Sequence, residues 1–284
     1  RMLAHLLRHD GRHVGMACSD GFFVDRRAIA QGDGADAACA RKVLLNPSVE
    51  AAVLEAGGPG ILKEGLGFDR CDVAVVTNVG EGDHLGFNDI RTPDDAFTVK
   101  RCPVDVVLPT GTAVLYAGDP LVARMAGLSA GSVTFFSEDP EDPVLAAHVA
   151  SGGKGVTVRD GRIVLLDGEV VQEVVPVATL PCEGRVPYLV RDGLGAVAAA
   201  WAMGLGADRI RAGLQSFEAV QEIPGRFTAM ACGDATVVVD SCRNPSAIAA
   251  LVEALQSLPA GRRSIVYAGG AGRRDEDHVR AGFL

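Results

Sequence analysis

The sequence has few aromatic residues, no long apolar run and no cluster of basic residues, and each absence excludes a class of protein. Aromatic residues make up only 5% of the 284 residues while 35 are glycine, a balance that favours α/β layers over an aromatic-rich β-sandwich. No stretch approaches the ~18–20 uninterrupted apolar residues of a membrane span, so we expect no membrane partner. The net charge is −9, from 27 basic and 36 acidic residues, and we therefore expect no nucleic-acid binding.

The seven cysteines are widely spaced, and they form neither a C-x-x-C pair nor a zinc-like Cys/His cluster. Free thiols in a reducing cytoplasm are the simplest interpretation. The P-loop pattern G-x-x-x-x-G-K-[ST] is also missing, because its nearest match, Gly152-Gly153-Lys154-Gly155, lacks the hydroxyl residue. The chain opens at Arg1 and continues at once as a helix with one apolar face, so we expect a segment of a longer protein.

The apolar runs of the first 220 residues predict a mostly parallel sheet with an antiparallel flank. Val49–Leu54 and Val73–Val79 are typical of strands buried on both faces of a parallel sheet. Asp160-Gly161 and Asp167-Gly168 separate short β-rich runs, a strong hairpin signal. Further predicted strands and helices are Val14–Met16, Val104–Leu108, Ala113–Tyr116, 2–9, 93–101, 120–126, 194–205 and 208–217.

A new alternation of predicted strands and helices begins near residue 221. Ala235–Asp240 is a predicted strand, and Asn244-Pro245 places a cap residue and a first-turn proline before a helix that reaches about Leu258. Ser264–Ala268 is a further predicted strand, so this part is typical of the start of a second, Rossmann-like unit. We predict domains at 1–220 and 221–284.

Polar residues follow the two predicted buried strands. Glu55 ends the first strand before the Gly-rich segment Gly57–Gly60, and Asp83 and His84 come after the second. Open α/β sheets bind ligands at the carboxyl ends of their strands, so neighbouring strands would bring Glu55 and His84 together as a magnesium or manganese site. Without other information, Lys100 is interpreted as a solvated surface lysine. Arg226, Arg273 and Arg274 are candidate phosphate clamps, although each alone is typical of a surface arginine.

These motifs, in this order, resemble the Mur-ligase-like C-terminal half of the cyanophycin synthetase family, ATP-dependent ligases that form amide bonds. The resemblance covers essentially the whole chain. It rests on these segments: Ser19-Asp20-Gly21, Gly32-Asp33, 51–55, Leu62–Asp72, Thr77-Asn78, Asp83–Gly86, Gly118–Val122, Ile223–Phe227, Asp240, Asn244-Pro245 and Gly272–Asp277.

The resemblance implies that ATP phosphorylates a carboxylate and that an amine then attacks the acyl phosphate, with Mg²⁺ as the metal cofactor. It implies a Mur-ligase-like central domain at 1–220, without its first strand and P-loop, followed by a truncated Rossmann-like C-terminal domain. The phosphate-binding loop is expected just before Arg1, so the segment alone is expected to be inactive. The implied partners are arginine and an aspartate-backbone polymer, in a cytoplasmic homo-oligomer.

The resemblance also implies the roles of individual residues. Glu55, His84 and Lys100 are the implied metal site, with Lys100 and His84 catalytic and Lys100 in the place of a lysine that CO₂ converts to a carbamate. The implied cofactor-binding residues are Asn78, Arg226, Asp240, Asn244 and Arg274.

The chain departs from the family pattern at four positions. Tyr116 stands where an asparagine is expected at the adenine, Arg243 replaces a histidine, and Leu189 and Asp192 replace asparagines. Three alternatives therefore remain: a ligase for another amino acid or peptide, a non-catalytic paralogue that binds polymer or pairs with an active subunit, and a metal-dependent hydrolase. The hydrolase lacks a third obvious ligand at close spacing.

Overall fold

A computed structural model describes residues 1–79, 90–242 and 245–256 of the chain. The helices are α1 (Met2–His9), α2 (Ala37–Leu44), α3 (Gly58–Glu64), α4 (Pro93–Lys100), α5 (Cys102–Asp105), α6 (Pro120–Arg124), α7 (Pro143–Ala150), α8 (Pro187–Ala202), α9 (Ala207–Gln215), α10 (Ala219–Glu222) and α11 (Pro245–Gln256). The strands are β1 (Val14–Cys18), β2 (Gly21–Val24), β3 (Arg27–Gln31), β4 (Ala51–Leu54), β5 (Cys71–Val76), β6 (Val107–Tyr116), β7 (Ser132–Phe136), β8 (Lys154–Arg159), β9 (Arg162–Asp167), β10 (Val170–Pro176), β11 (Thr228–Cys232) and β12 (Ala235–Val239). Three short 3₁₀ helices lie at Met125–Leu128, Val177–Thr179 and Pro181–Gly184.

The larger sheet has the order β10-β9-β8-β7-β6-β5. The pairs from β5 to β8 are parallel, and the pairs from β8 to β10 are antiparallel, as the sequence predicts. Asp160 and Gly161, which join β8 to β9, both have positive φ (49° and 70°), as a two-residue hairpin turn of this type requires. The Asp-Gly signal therefore predicted the antiparallel flank correctly.

A second sheet has the order β3-β2-β1-β4, with β1 parallel to β4, and β11 and β12 form a separate hairpin. The expected burial of β4 and β5 on both faces is wrong. The strands lie in different sheets and each has one partner among the described residues, so both are edge strands and Val75 of β5 is 37% exposed.

Helix α8 carries the main core. It packs across β5 to β8 and against α1, and most of its side chains from Leu189 to Ala200 are buried. Its small residues let it approach the sheet closely: a Cβ on Gly195 would lie 3.2 Å from the ring of Phe136. The predicted helix at 194–205 is therefore a longer one that begins at Pro187, where proline suits the first helical turn.

Two other sequence predictions need correction. Val104–Leu108 is not one strand, because Val104 belongs to the short helix α5, which has Pro103 in its first turn, and the strand begins at Val107. The Gly-rich segment Gly57–Gly60 is not a free loop, because α3 begins at Gly58. The predicted strand at Ser264–Ala268 lies outside the described residues. No helix of the described ranges is long and apolar enough to cross a membrane.

Candidate functional site

Glu55 lies where the sequence places it, directly after the carboxyl end of β4. Its Oε2 accepts a hydrogen bond from the backbone N–H of Ser19, 2.8 Å away, after the neighbouring strand β1. This bond fixes the carboxylate over the ends of two parallel strands, and the residue is exposed. The charge is thus held at the edge where α/β sheets bind ligands.

The start of α1 faces this carboxylate. Arg1 lies close enough to Cys18, Glu55 and Asp192 for their charges to act on its backbone nitrogen. Neighbouring protein atoms desolvate the carboxyl group of Asp192, on α8, and raise its pKa to about 6, although the residue has exposed surface. The positive charges of Arg191 and Arg226 partly offset that rise. Glu55 and Asp192 thus act electrostatically on the start of α1, and Arg226 acts on Asp192.

A second group of polar residues follows β5 and β6. The Lys100 ammonium, at the end of α4, donates to the backbone carbonyls of Asn78 (3.2 Å) and Val79 (2.9 Å). The Val79 N–H donates to Asp119 Oδ2 at 2.8 Å, and Oδ1 of Asp119 caps α6. Two carbonyl oxygens favour a positively charged donor at this position. A carbamate on Lys100 is negatively charged and would have to turn away from them.

The two groups lie in different sheets, since Glu55 follows β4 and Asn78 follows β5. The condition for Glu55 and His84 to converge, that their strands be neighbours, is not met by the strand pairing. The helices that follow the two strands, α3 and α4, do pack against each other. His84, Asn244 and Arg274 lie outside the described residues, so their implied roles stay predictions.

Asp240 is more constrained than the sequence suggests. Its Oδ2 accepts from the Tyr188 hydroxyl (2.6 Å) and from the Phe227 N–H (2.7 Å), and its Oδ1 accepts from Cys242 (Sγ 3.4 Å away). Burial, reinforced by Asp240, raises the pKa of Tyr188 and raises that of Cys242 to about 12. Asp240 thus joins α8 to the hairpin β11–β12, and a ribose would compete with these donors.

One polar cluster was not predicted. The Tyr116 hydroxyl donates to Glu138 Oε1 (3.1 Å), which also accepts from Arg191 (2.6 Å to Nη2), and the guanidinium lies 4.4 Å from the centre of the Tyr116 ring. Burial raises the pKa of Tyr116 to about 12. Glu138 Oε2 is buried without a hydrogen-bond partner among the described residues. Only Tyr116 gave a sequence signal, as a departure from the family pattern.

The described residues fit a metal site only in part. Glu55 Oε1 is not engaged by any described donor, and a carboxylate oxygen is a ligand that Mg²⁺ accepts. No group of three or more His, Cys, Asp or Glu side chains that could hold a metal occurs within the described ranges. Glu55 can therefore supply one ligand, and the others must come from bound substrate, water or residues outside the described part.

No protein-family model matches the chain. It is 36% identical over 287 aligned positions to the cyanophycin synthetase of Crocosphaera subtropica and 35% identical to that of Synechocystis, in both cases across 100% of this chain and 33% of the relative. A UDP-N-acetylmuramyl-tripeptide synthetase of Deinococcus radiodurans is 29% identical over 82% of this chain and 44% of its own length. The chain thus spans about a third of the length of the cyanophycin synthetases it matches.

Solved structures of MurF and FolC share the fold. MurF from Acinetobacter baumannii superposes with a TM-score of 0.64 at 18% identity, over 91% of this chain and 51% of that one. E. coli FolC in complex with DHPP and ADP gives a TM-score of 0.62 at 19% identity, over 92% of this chain and 63% of that one. These likenesses confirm the predicted Mur-ligase-like fold class, and the sequence matches confirm the resemblance to a part of cyanophycin synthetase.

Proposed function

We propose that this chain, homologous along its length to one third of cyanophycin synthetase, is the nucleotide-binding part of an ATP-dependent amide ligase. The observation that carries the proposal is the position of Glu55, which the Ser19 N–H holds at the carboxyl ends of β1 and β4, beside the start of α1. A negatively charged phosphate there would meet the positive end of the helix dipole.

The proposed reaction has two steps. An oxygen of the acceptor carboxylate attacks the γ-phosphorus of ATP, the bond to ADP breaks, and an acyl phosphate forms. The amine nitrogen of the second substrate then attacks the acyl carbon, loses a proton, and inorganic phosphate leaves. Magnesium, when bound, would neutralise charge on the transferring phosphoryl group. The chain's own part is to hold the reactants with Glu55 and Arg226 and, by our proposal, His84 and Lys100.

The proposed substrates follow from the relatives' name. We extend the proposal to arginine as the amine and to the β-carboxylate of an aspartate-backbone polymer as the acceptor. Asn78, Asp240, Asn244 and Arg274 remain the proposed nucleotide contacts. Assembly as a homo-oligomer in the cytoplasm and carbamylation of Lys100 also stay proposals.

The test is the incorporation of labelled arginine into an aspartate-backbone primer by the full-length parent protein with ATP and magnesium. Glu55→Gln isolates the charge, because the glutamine oxygen can still accept from the Ser19 N–H. We expect this variant and His84→Ala to lose incorporation by about 100-fold or more. Glu50→Gln is the matched control: Glu50 is exposed at the opposite end of β4 and accepts from the His13 N–H, so activity should be unchanged.

Two results would contradict the proposal. A folded parent that incorporates neither arginine nor lysine would favour the non-catalytic paralogue, for which Tyr116 in the expected adenine position is the supporting feature. Incorporation that Glu55→Gln leaves intact would remove Glu55 from the metal site. Release of phosphate with a different amino acid, but not with arginine, would keep the ligase and replace the substrate.

A further inference from the structure

A second cleft, of about 490 Å³, lies at the opposite end of the larger sheet from Asn78 and Tyr116. It opens where β7 and β8 begin, beside the middle of β6 and the final residues of α7 and α8. This volume is within the ~300–1,000 Å³ of small-molecule sites. The side chains that give it chemical character are Thr112, Ser132, His148, Ser151, Lys154 and Trp201.

Three hydroxyl groups of the cleft, those of Thr112, Ser132 and Ser151, donate their hydrogens to protein oxygens. Ser132 Oγ donates to the Gly111 carbonyl (3.1 Å), so Thr112 is the donor in its 2.8 Å contact with Ser132. Ser151 Oγ donates to the His148 carbonyl at 2.7 Å. A hydroxyl group whose only hydrogen is already donated can still accept hydrogen bonds through its lone pairs. A ligand that brings N–H or O–H donors can therefore hydrogen-bond to these oxygens.

His148 adds a further acceptor. Its Nε2 lies 3.1 Å from the Val133 carbonyl, so Nε2 carries the hydrogen, and in the neutral ring Nδ1 is left as an acceptor without a described partner. The ring orientation is fixed by an edge-to-face contact with Phe135 at 5.0 Å. It also needs Gly153, where a Cβ would lie 2.2 Å from Nε2.

Trp201 already holds a cation. Lys154 Nζ lies 4.6 Å from the centre of the indole ring, and the same ammonium is 3.3 Å from Asp167 Oδ2. The positive charge of Lys154 is thus shared between a carboxylate and a ring face, which leaves little of it to attract an anion. The carboxyl-terminal ends of α7 and α8, which carry the negative end of the helix dipole, also favour a positively charged ligand.

We propose that this cleft binds a guanidinium group, stacked on Trp201 beside or in place of the Lys154 ammonium. The guanidinium has a planar face for the indole and five N–H donors for the hydroxyl oxygens and His148. The biological source rests on the proposed function: both the free arginine substrate and the arginine side chains of the polymer carry this group. A polymer bound in this cleft would be held far from its reacting end, because the proposed reaction takes place at the opposite end of the sheet.

The chain offers a direct readout, because Trp201 is the only tryptophan among its 284 residues. We expect its fluorescence to change saturably when the 284-residue chain is titrated with arginine or with a short aspartate-backbone oligomer that carries arginine. Citrulline has nearly the same shape without the charge and should produce no saturable change. If free arginine saturates the signal at concentrations similar to those of the oligomer, the cleft is a site for the monomer. If only the oligomer saturates the signal, the cleft is a site for the polymer.

Variants followed by calorimetry test the assignment of residues. Trp201→Leu should weaken binding at least tenfold, and Asp167→Asn should weaken it several-fold. Lys154→Ala should strengthen it several-fold, since it removes the competing cation from the indole. Lys63→Ala is the matched control, because this exposed lysine pairs with a neighbouring carboxylate on α3 and should not alter binding.

The proposal is overturned if no arginine ligand gives a saturable signal, if citrulline binds as well as arginine, or if Trp201→Leu and Lys154→Ala both bind as the unaltered chain does. None of these measurements needs ATP or magnesium. Binding that persists in Glu55→Gln, together with a full-length parent that fails to incorporate arginine, would refute the proposed ligase while it supports the guanidinium site.

Discussion

Replacement of Glu222 by glutamine should destabilise the folded chain more than any other single change of charge near α1. Glu222 ends α10, and its carboxylate faces His5 (Nδ1 to Oε1, 3.1 Å), Arg8 (Nη2 to Oε2, 2.7 Å) and Arg26 (Nη2 to Oε1, 3.2 Å). Its side chain is 13% exposed, and those of His5 and Arg8 are 4% and 12% exposed. The Glu222 carbonyl also accepts from Arg1.

The magnitude follows from this burial. Removal of one partner from a buried ion pair costs about 3–5 kcal/mol, since the remaining charge stays buried without compensation. Arg26 is 69% exposed and can return to water, so we take the lower end, about 3 kcal/mol. For a chain of this size that corresponds to a fall in Tm of about 6–12 °C.

The dependence on pH gives a second check. The hydrogen bond from His5, with Arg8 and Arg26, lowers the pKa of Glu222 in the folded state. A carboxyl group with a lowered folded pKa stabilises the fold above its ordinary pKa, and this stabilisation is lost as the pH falls through the folded pKa. The difference in Tm between the chain and Glu222→Gln should therefore be full at pH 7 and shrink below about pH 4.

Thermal unfolding at several pH values is the assay, and Glu218→Gln is the matched control. Glu218 is exposed, begins the same short segment and faces none of these cations, so its change should leave Tm within about 1–2 °C. A Glu222→Gln protein as stable as the control at pH 7, or a difference that does not depend on pH, would refute the electrostatic account.

Three further outcomes follow from single contacts. Enclosure raises the pKa of Asp192, so the ionised carboxylate opposes folding. Thermal unfolding curves of Asp192→Asn should therefore show a higher Tm at pH 8 and no change in Tm near pH 3. Gly131→Ala places a Cβ 2.3–2.5 Å from backbone oxygens and should cost about 1–3 kcal/mol by denaturant titration, whereas Gly127→Ala meets open space and should be neutral. Alkylation followed by mass spectrometry should modify the exposed Cys232 first and leave Cys71 largely unmodified, because burial raises the pKa of Cys71 to about 11.

The sequence predicted those elements whose signal is local. Asp-Gly pairs fixed the hairpins of the antiparallel flank, and apolar runs located β4 and β5 to within a few residues. The strand β3 was missed because all five of its residues are exposed and none of them alternates with a buried one. The burial of β5 was overestimated because an apolar run does not show how many neighbours a strand has.

The residues of the candidate site also differ in whether a local sequence signal could predict them. Glu55 could be predicted, since a carboxylate directly after a buried strand lies at the ligand-binding edge of a sheet. The cluster of Tyr116, Glu138 and Arg191 could not. Tyr116 ends β6, Glu138 follows β7 and Arg191 lies on α8, 53 positions after Glu138, so the pairing of β6 with β7 and the packing of α8 across the strands bring them together.

The contacts on either side of Arg226 explain how one arginine from the last part of the chain is positioned. Four residues earlier, Glu222 is bound to α1; one residue later, the buried Phe227 has a positive φ of 43° and donates its N–H to Asp240. A left-handed non-glycine residue persists only where its surroundings hold it, so Asp240 helps to place Arg226. If Asp240 contacts the ribose as proposed, loss of nucleotide affinity in an Asp240→Ala variant would combine that lost contact with a displaced arginine. Asp240→Asn keeps an acceptor for the Phe227 N–H and separates the two effects.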